Sequence, residues 1–188
     1  MTTSSEQGEA ARARVLRTTV GVVALLNLAY FFVEVGVALA IGSVSLFADS
    51  VDFLEDTAVN LLIFVALGFS LMRRAVLGRI LAGVILLPAL AAAWQAFAKF
   101  GAPEPPDVTS LVVTAGGAVV VNAICAWLLA RVRHHGGSLT TAAFLAARND
   151  VLINVLIIAM GVVTALTSSG WPDIVLGVVI IALNATAA

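Results

Sequence analysis

Charged side chains are scarce in this chain. Of its 188 residues only 11% are Asp, Glu, Lys or Arg, whereas 61% are hydrophobic. Soluble domains carry about a quarter charged residues, so this balance excludes an ordinary soluble fold and indicates a membrane protein. The formal net charge of −1 offers no excess of basic groups to a polyanion. We therefore expect the lipid bilayer as a partner and no nucleic acid.

Sulfur and imidazole ligands are also nearly absent. The chain has one cysteine, Cys125, and two histidines, His134 and His135. A single cysteine excludes a disulfide within the chain and a thiolate metal site, so we interpret Cys125 as a small buried apolar residue. The histidines belong to the stretch "RHHGG", which we interpret as a solvated loop.

Motifs of intramembrane enzymes are missing as well. A lipid-headgroup transferase needs glycine at a fixed offset from its aspartates, and here Phe53 follows Asp52. Neither a Gly-x-Gly-Asp segment nor a His-Glu-x-x-His helix occurs in the sequence. The sequence therefore predicts that the protein is not an enzyme.

Long apolar runs fill most of the chain. A membrane-spanning helix needs about 20 predominantly apolar residues, and this template fits six times between the turn-forming stretches "GS", "RR", "GAPEPPD", "RHHGG" and "SSGWPD". We predict an all-α membrane protein, a six-transmembrane-helix bundle forming one domain over 15–188, after a polar, frayed N-terminal tail over 1–14. The predicted spans are 15–41, 44–72, 75–100, 107–132, 139–167 and 171–187.

Arginines gather in alternate connections between the spans. Three lie at the start of the first span, three between the second and third, and two after the fourth, whereas the opposite loops hold Lys99 beside Glu104 and Asp107, and the acidic Asp173. The positive-inside rule then places both termini in the cytoplasm. We expect a multi-pass protein of the cell (inner) membrane. The arginines are Arg12, Arg14, Arg17, Arg73, Arg74, Arg79, Arg131 and Arg133.

The second span carries four carboxylates in the stretch "FADSVDFLED". A charge at the bilayer centre costs about 2.5–3.5 kcal/mol, so such groups face a cavity, a partner or an ion. At about 100° per residue, Asp49, Asp52 and Asp56 share a narrow stripe that Asn60 continues, while Glu55 points away from it. We predict that this polar stripe faces the interior of the bundle.

Three other spans contribute polar residues at a similar depth. Asp150 and Asn154 are one turn apart on the fifth span, the first span carries Asn27 and Glu34, and the fourth carries Asn122. Residues one or two turns apart share a helix face. Polar groups of four helices are therefore predicted to converge in the middle of the membrane.

A purely structural interpretation of several of these residues stays open. Single buried polar residues often only hydrogen-bond membrane helices to one another, and this interpretation applies to Asn27, Glu34 and Asn122. Glu55 and Arg148 lie off the polar stripes, and one interpretation pairs them across the second and fifth spans.

Crowded carboxylates cannot all ionise unless a cation lies between them. Either protons or a metal ion must neutralise them, and this competition is itself a transport mechanism. A divalent cation enters as protons leave, and reprotonation releases it. Oxygen ligands without thiolates or imidazoles suit Mn, Fe, Co or Mg better than a dedicated zinc cage.

The residues resemble a known family. The stretch "NLAYFFVEVGVALAIGSVSLFADSVDFLEDT" is similar to the first two helices of the cation diffusion facilitators, which are divalent-metal/proton antiporters. The shared features include Asn27, Glu34 and the acidic positions 52 and 56. The helix around Asp150 and the stretch "GWPDIVLGVVIIAL" resemble the fifth and sixth helices of the family. The resemblance covers nearly the whole chain and implies six spans with both ends in the cytoplasm.

The resemblance also implies a metal site. The transport site of the family maps to Asp52, Asp56 and Asp150, and its usual fourth ligand lies one turn before the aspartate of the fifth helix. That position is Ala146 in this sequence. The vacancy is left to water or to one of three further candidates, which are Asp49, Asn149 and Asn154.

The implied function is divalent metal cation efflux by cation/proton antiport. No permanently bound cofactor is implied, and the transported metal stays open among Zn, Co, Mn, Fe, Ni and Cd. The implied partners are this cation and protons. Whether a second copy of the chain forms a homodimer stays open. Family members commonly carry a cytoplasmic C-terminal domain, and since the sequence stops soon after the sixth span we expect a short form without it. Ala146 favours an alternative, a transport-inactive membrane scaffold or assembly partner.

Overall fold

Six helices account for most of the described chain. The computed structural model describes residues 2–66, 71–134 and 137–187, and these ranges contain no strand. The helices are α1 Thr2–Ile41, α2 Val44–Ala66, α3 Leu71–Lys99, α4 Val108–Val132, α5 Gly137–Thr167 and α6 Trp171–Ala187. The prediction of an all-α six-helix bundle is confirmed.

Two helices begin before the predicted membrane spans. Helix α1 already begins at Thr2, so the stretch over 2–14 is helical rather than frayed, because its Ala, Glu, Gln and Arg residues are strong helix formers. Helix α3 begins at Leu71, so Arg73 lies in its first turn and not in a loop. Residues 67–70, at the predicted end of the second span, lie outside the described residues.

Four of the described helices are long and apolar enough to cross a membrane by themselves, namely α1, α3, α4 and α5. Helix α2 carries four carboxylates within 23 residues, and α6 is shorter, at 17 residues. Helix α2 contacts α1, α3, α5 and α6; among these neighbours Asp49 and Asp56 are buried, and Asp52 and Glu55 are half-buried. The chain is a multi-pass helical membrane protein in which α2 is the central helix.

Two connections show why the helices begin and end where they do. Gly42 has a φ of 68°, in the left-handed region that favours glycine, and it ends α1. At the other connection Asp107 is exposed and caps α4, since its side chain accepts a hydrogen bond of 2.8 Å from the backbone N–H of Ser110. Hydrogen bonds from Ser110 lower the pKa of the Asp107 carboxyl. Gly42 therefore ends α1, and Asp107 sets the start of α4.

Asp173 fastens the start of α6 to the start of α2. Its carboxylate is 2% exposed and accepts hydrogen bonds from the Ser43 and Ser45 hydroxyls, both at 2.6 Å, and from the backbone N–H groups of Val44 at 2.7 Å and Ser45 at 3.2 Å. The first N–H groups of a helix have no partner within the helix and favour a negative charge. Asp173 therefore supplies the N-terminal cap of α2 from a distant part of the chain.

Replacing Asp173 with alanine is expected to lower the free energy of unfolding by about 3 kcal/mol, since two hydroxyls and two N–H groups lose a buried charged acceptor. Thermal unfolding of the purified variant in detergent measures this loss. Glu104→Ala is the control, because the Glu104 side chain is exposed and its removal should leave the unfolding temperature unchanged. Equal unfolding temperatures for both variants would contradict the capping role.

Candidate metal site

Two clusters of buried apolar side chains lie beside the polar residues of the bundle. Helices α1, α2, α4 and α5 each contribute to both clusters or their packed rims. Along the chain Asp52, Asp56 and Asp150 fall between these contributions, whereas Asp49 and Asn154 fall among the residues of the cluster near the α1–α2 turn. Apolar side chains therefore lie on both sides of the acidic residues along the bundle. The cluster near the α1–α2 turn includes Ala38, Leu46, Leu111 and Ile157, and the opposite cluster includes Leu16, Ile63, Leu129 and Ala147.

Asn27 on α1 forms hydrogen bonds to both α2 and α4. The side-chain amide of Asn27 donates a hydrogen bond of 3.5 Å to Asp56 Oδ2, and Asn60 donates one of 2.8 Å to the Asp56 backbone carbonyl. Cys125 Sγ lies 3.8 Å from Asn27 Oδ1 and donates to it. The prediction that Cys125 is buried is confirmed, and Asn27 orients the Asp56 carboxylate from α1.

Asn154 connects α5 to α2. Its amide nitrogen donates a hydrogen bond of 3.4 Å to Asp49 Oδ1 and one of 2.8 Å to the backbone carbonyl of Asp150. Asp49 and Asn154 are both fully buried, and Asp150 is half-buried. The two fifth-helix residues singled out in the sequence thus face the acidic stripe of α2.

Sequence reasoning missed Asn184, which lies near the end of α6. Its side-chain amide donates a hydrogen bond to Asp52 Oδ1. An asparagine isolated in the apolar run "VVIIALNA" was the available signal, but no spacing pattern links it to α2. Helix α6 therefore supplies a polar partner to the acidic residues, in addition to α1 and α5.

The carboxylates form one electrostatically connected group. Asp52 interacts with Asp49, Asp56, Glu55 and Asp150, and Asp150 interacts with Asp49, Glu55 and Asp56. All of these interacting groups are acids, and none is lysine or arginine. Buried charges without a counter-charge are strongly unfavourable, so this group requires protons or a bound cation.

The described residues contain no three His, Cys, Asp or Glu side chains close enough together to hold one metal ion. Asp52 and Asp56 are instead each hydrogen-bonded to an asparagine on a neighbouring helix. We call Asp52, Asp56 and Asp150 the main cluster; they interact electrostatically but do not lie close enough together in the described structure to hold one metal ion.

Several other residues singled out in the sequence lie at exposed, half-buried or cavity-lining positions. Asn149 is exposed on α5, and Ala146, half-buried, supplies no ligand atom. Glu55 lines a cavity of about 670 Å³ between α2, α3 and α6, which Asn184 also lines. Arg148 is exposed, and no ion pair joins it to Glu55 within the described chain, so that alternative pairing is wrong. His134 is exposed, and His135 lies outside the described residues.

The fold and the buried acidic group define a class of protein, a multi-pass helical membrane protein whose interior is suited to a cation. Residues 20–188 match the family model of the cation efflux transmembrane domain, and the chain belongs to that family. This finding confirms the resemblance. A comparison with curated proteins finds no match. Members of the family are transporters of metal ions rather than enzymes, and the chain is a cation efflux transporter.

Proposed function

We propose that this protein exports a divalent metal cation by exchanging it for protons at the main cluster. The observation that carries the proposal is a group of buried and half-buried carboxylates on α2 and α5, for which the interacting charged groups among the described residues are all acids. A divalent cation supplies the missing charge, and protons supply it when the cation leaves. Carboxylates must lose their protons to bind metal, which couples the two movements.

Metal binding at the main cluster requires an exchange of partners. Asp52 and Asp56 leave the amides of Asn184 and Asn27 and turn towards the cation, which carboxylate oxygens bind at about 2.0–2.6 Å. We also place Asn184 among the ligands, at the vacancy that Ala146 leaves. Its contact with Asp52 supports this assignment, since rotation of the amide by half a turn presents an oxygen in place of the nitrogen.

Binding of metal to the purified protein tests this proposal. We expect saturable binding of at least one of Mn²⁺, Fe²⁺, Co²⁺, Ni²⁺, Zn²⁺ and Cd²⁺ in isothermal titration, with oxygen-preferring ions favoured. Asp150→Ala should weaken binding by about 100-fold or more, because each 1.4 kcal/mol of lost attraction is tenfold in affinity. Glu104→Ala removes an exposed carboxylate and should bind as the natural chain does. No binding of any of the six ions would contradict the proposal.

A transport-inactive scaffold is the second candidate function. Two observations favour it, namely Ala146 at the usual ligand position and the separation of the main-cluster carboxylates in the described structure. A scaffold would fold normally in the membrane, would not move metal in proteoliposomes and would co-purify with another membrane protein. Metal uptake by the protein alone excludes it.

We propose that the protein lies in the inner membrane of the cell with both termini in the cytoplasm. The distribution of arginines supports this orientation. Cysteines placed at Glu104 and His134 report the orientation, because both positions are exposed and Cys125 is buried. Glu104→Cys should react with an impermeant thiol reagent added outside intact cells, and His134→Cys only after permeabilisation. The reverse pattern would overturn this orientation.

A homodimer is proposed from the family resemblance, and the protein's mass in detergent tests it.

A further inference from the structure

A second group of oxygen atoms lies beside the main cluster, on the side of the α1–α2 turn. Glu34, Asp49 and Asn154 are each 0% exposed. Four of their oxygens accept no hydrogen bond from an amide, a hydroxyl or a backbone N–H of the described residues, namely both carboxylate oxygens of Glu34, Asp49 Oδ2 and Asn154 Oδ1. A buried acceptor without a partner costs about 1–3 kcal/mol. Four such acceptors on three neighbouring side chains indicate that a ligand belongs there.

The geometry of these three side chains indicates a cation. The carboxyl groups of Glu34 and Asp49 lie within hydrogen-bonding range of each other. Two ionised carboxylates have no hydrogen to share, so either a proton or a cation must lie between them. The charged groups that act on Glu34 are Asp49, Asp52 and Asp150, all of them acids. Asn154, bonded to Asp49 at 3.4 Å, adds an uncharged amide oxygen. Two facing carboxylates and an amide are the hard oxygen donors that Mn²⁺ and similar ions prefer.

The position along the helices places this group on a route through the bundle. Asp49 precedes Asp52 by about 4.5 Å and Asp56 by about 10 Å along α2, at about 1.5 Å per residue. Glu34 lies about 10 Å from the end of α1 at Ile41 by the same rise. The group therefore lies between the main cluster and the bundle end at the α1–α2 turn, which the proposed orientation places outside the cell.

We propose that Glu34, Asp49 and Asn154 form a second binding site, the outer subsite, for the same divalent cation. This inference rests on the proposed function of the main cluster. The cation leaves Asp52, moves about one helical turn to Asp49 and then exits towards the α1–α2 turn. A cation in the outer subsite repels the next one in the main cluster, and such repulsion between adjacent sites speeds release.

The number of Mn²⁺ ions bound per chain tests the outer subsite. Equilibrium dialysis of the purified protein at saturating Mn²⁺ should give two ions for the natural chain, one for Glu34→Gln and one for Asp56→Asn. Glu104→Gln, an equivalent change at an exposed carboxylate, should keep two. One ion that Asp56→Asn abolishes and Glu34→Gln leaves in place would overturn the outer subsite alone. If no Mn²⁺ binds, the dialysis is repeated with the other five ions, and no bound ion of any of the six on the natural chain would overturn the proposed function itself.

A second variant keeps the test decisive if Glu34→Gln fails to fold. Asn154→Asp adds a third carboxylate to the outer subsite and should tighten binding of the second Mn²⁺ by about tenfold, which corresponds to 1.4 kcal/mol. Electron paramagnetic resonance should also show broadening from two Mn²⁺ ions within about 10 Å of each other, the spacing that the helix rise gives. Unchanged affinity in Asn154→Asp, or spectra of isolated ions only, would contradict the outer subsite.

Discussion

Replacing Asp56 with asparagine is expected to reduce metal transport by about 100-fold or more. The substitution keeps the size of the side chain and an oxygen that accepts from Asn27, but it removes one negative charge from the main cluster. Near a divalent ion each lost charge is worth several kcal/mol even at an intermediate dielectric constant, and 2.8 kcal/mol corresponds to a factor of 100. Uptake of metal by proteoliposomes that contain the purified variant measures the effect.

Glu104→Gln is the matched control for this experiment. It also neutralises one carboxylate, but at an exposed position on the α3–α4 connection, and its uptake rate should equal that of the natural chain. Thermal unfolding of both variants shows whether a lost rate reflects lost folding. A folded Asp56→Asn protein that transports within about twofold of the natural rate would remove Asp56 from the mechanism, since a lost ligand charge costs far more than this.

Metal affinity is expected to fall steeply as the pH falls. Protons and metal compete for the same carboxylates, so acid favours the protonated, metal-free site. Lowering the pH from about 7.5 to about 6 should weaken binding about 30-fold for each proton that the metal displaces. Titrations in two buffers with different ionisation enthalpies give the number of protons released per metal ion.

The pH experiment also has a clear negative outcome. Affinity that stays constant over this range would mean that metal binds without displacing protons. Antiport at the main cluster would then be wrong, although the family assignment of the chain would stand. The affinity of Asp56→Asn, if measurable, should depend less on pH, because one titrating group has been removed.

The helices could be predicted from the sequence because apolar runs of sufficient length leave few alternatives in a membrane. The ends of the helices could not be predicted where helix propensity and hydrophobicity disagree. Residues 2–14 are polar and therefore resembled a tail, yet their helix-forming residues extend α1 to Thr2. Hydrophobicity locates the membrane-embedded part of a helix, whereas propensity locates its end.

Individual partners inside the bundle could not be predicted. The spacing of Asp49, Asp52 and Asp56 fixed a common face on α2, but it contained no information about which residues of other helices meet that face. Asn184 contacts Asp52 only because α6 packs against α2. Such a contact between residues far apart in the sequence depends on tertiary packing, which periodicity along one helix does not describe.

Asp173 shows the same limit at the edge of the bundle. In the sequence it counted only as an acidic residue in a loop, used to judge orientation. In the structure it is buried and accepts four hydrogen bonds from the start of α2. The free N–H groups at the N-terminus of α2 attract a carboxylate, but the chain offered several acidic residues, and only the packing of α6 on α2 selects this one.

The two buried polar residues of α1, Asn27 and Glu34, have different hydrogen-bonding surroundings. Asn27 holds Asp56 and Cys125, which agrees with the structural interpretation as well as with a role in orienting a ligand. Glu34 accepts no hydrogen bond from a neutral amide or hydroxyl of the described residues and instead faces the carboxyl group of Asp49, whereas a residue that only tied helices together would have a neutral donor. Asn27 and Glu34 therefore differ in their hydrogen-bond partners, although their spacing predicts a common face on α1.

Simultaneous measurement of metal and proton movement tests the central claim most directly. Proteoliposomes containing the purified protein and an internal pH indicator are given an inward Mn²⁺ or Zn²⁺ gradient, with metal and pH recorded together. We predict that the interior becomes alkaline as metal enters and that Asp56→Asn abolishes both signals. Metal entry without any change in internal pH would contradict antiport and leave a uniporter or channel, and no metal entry for any divalent ion would support the scaffold.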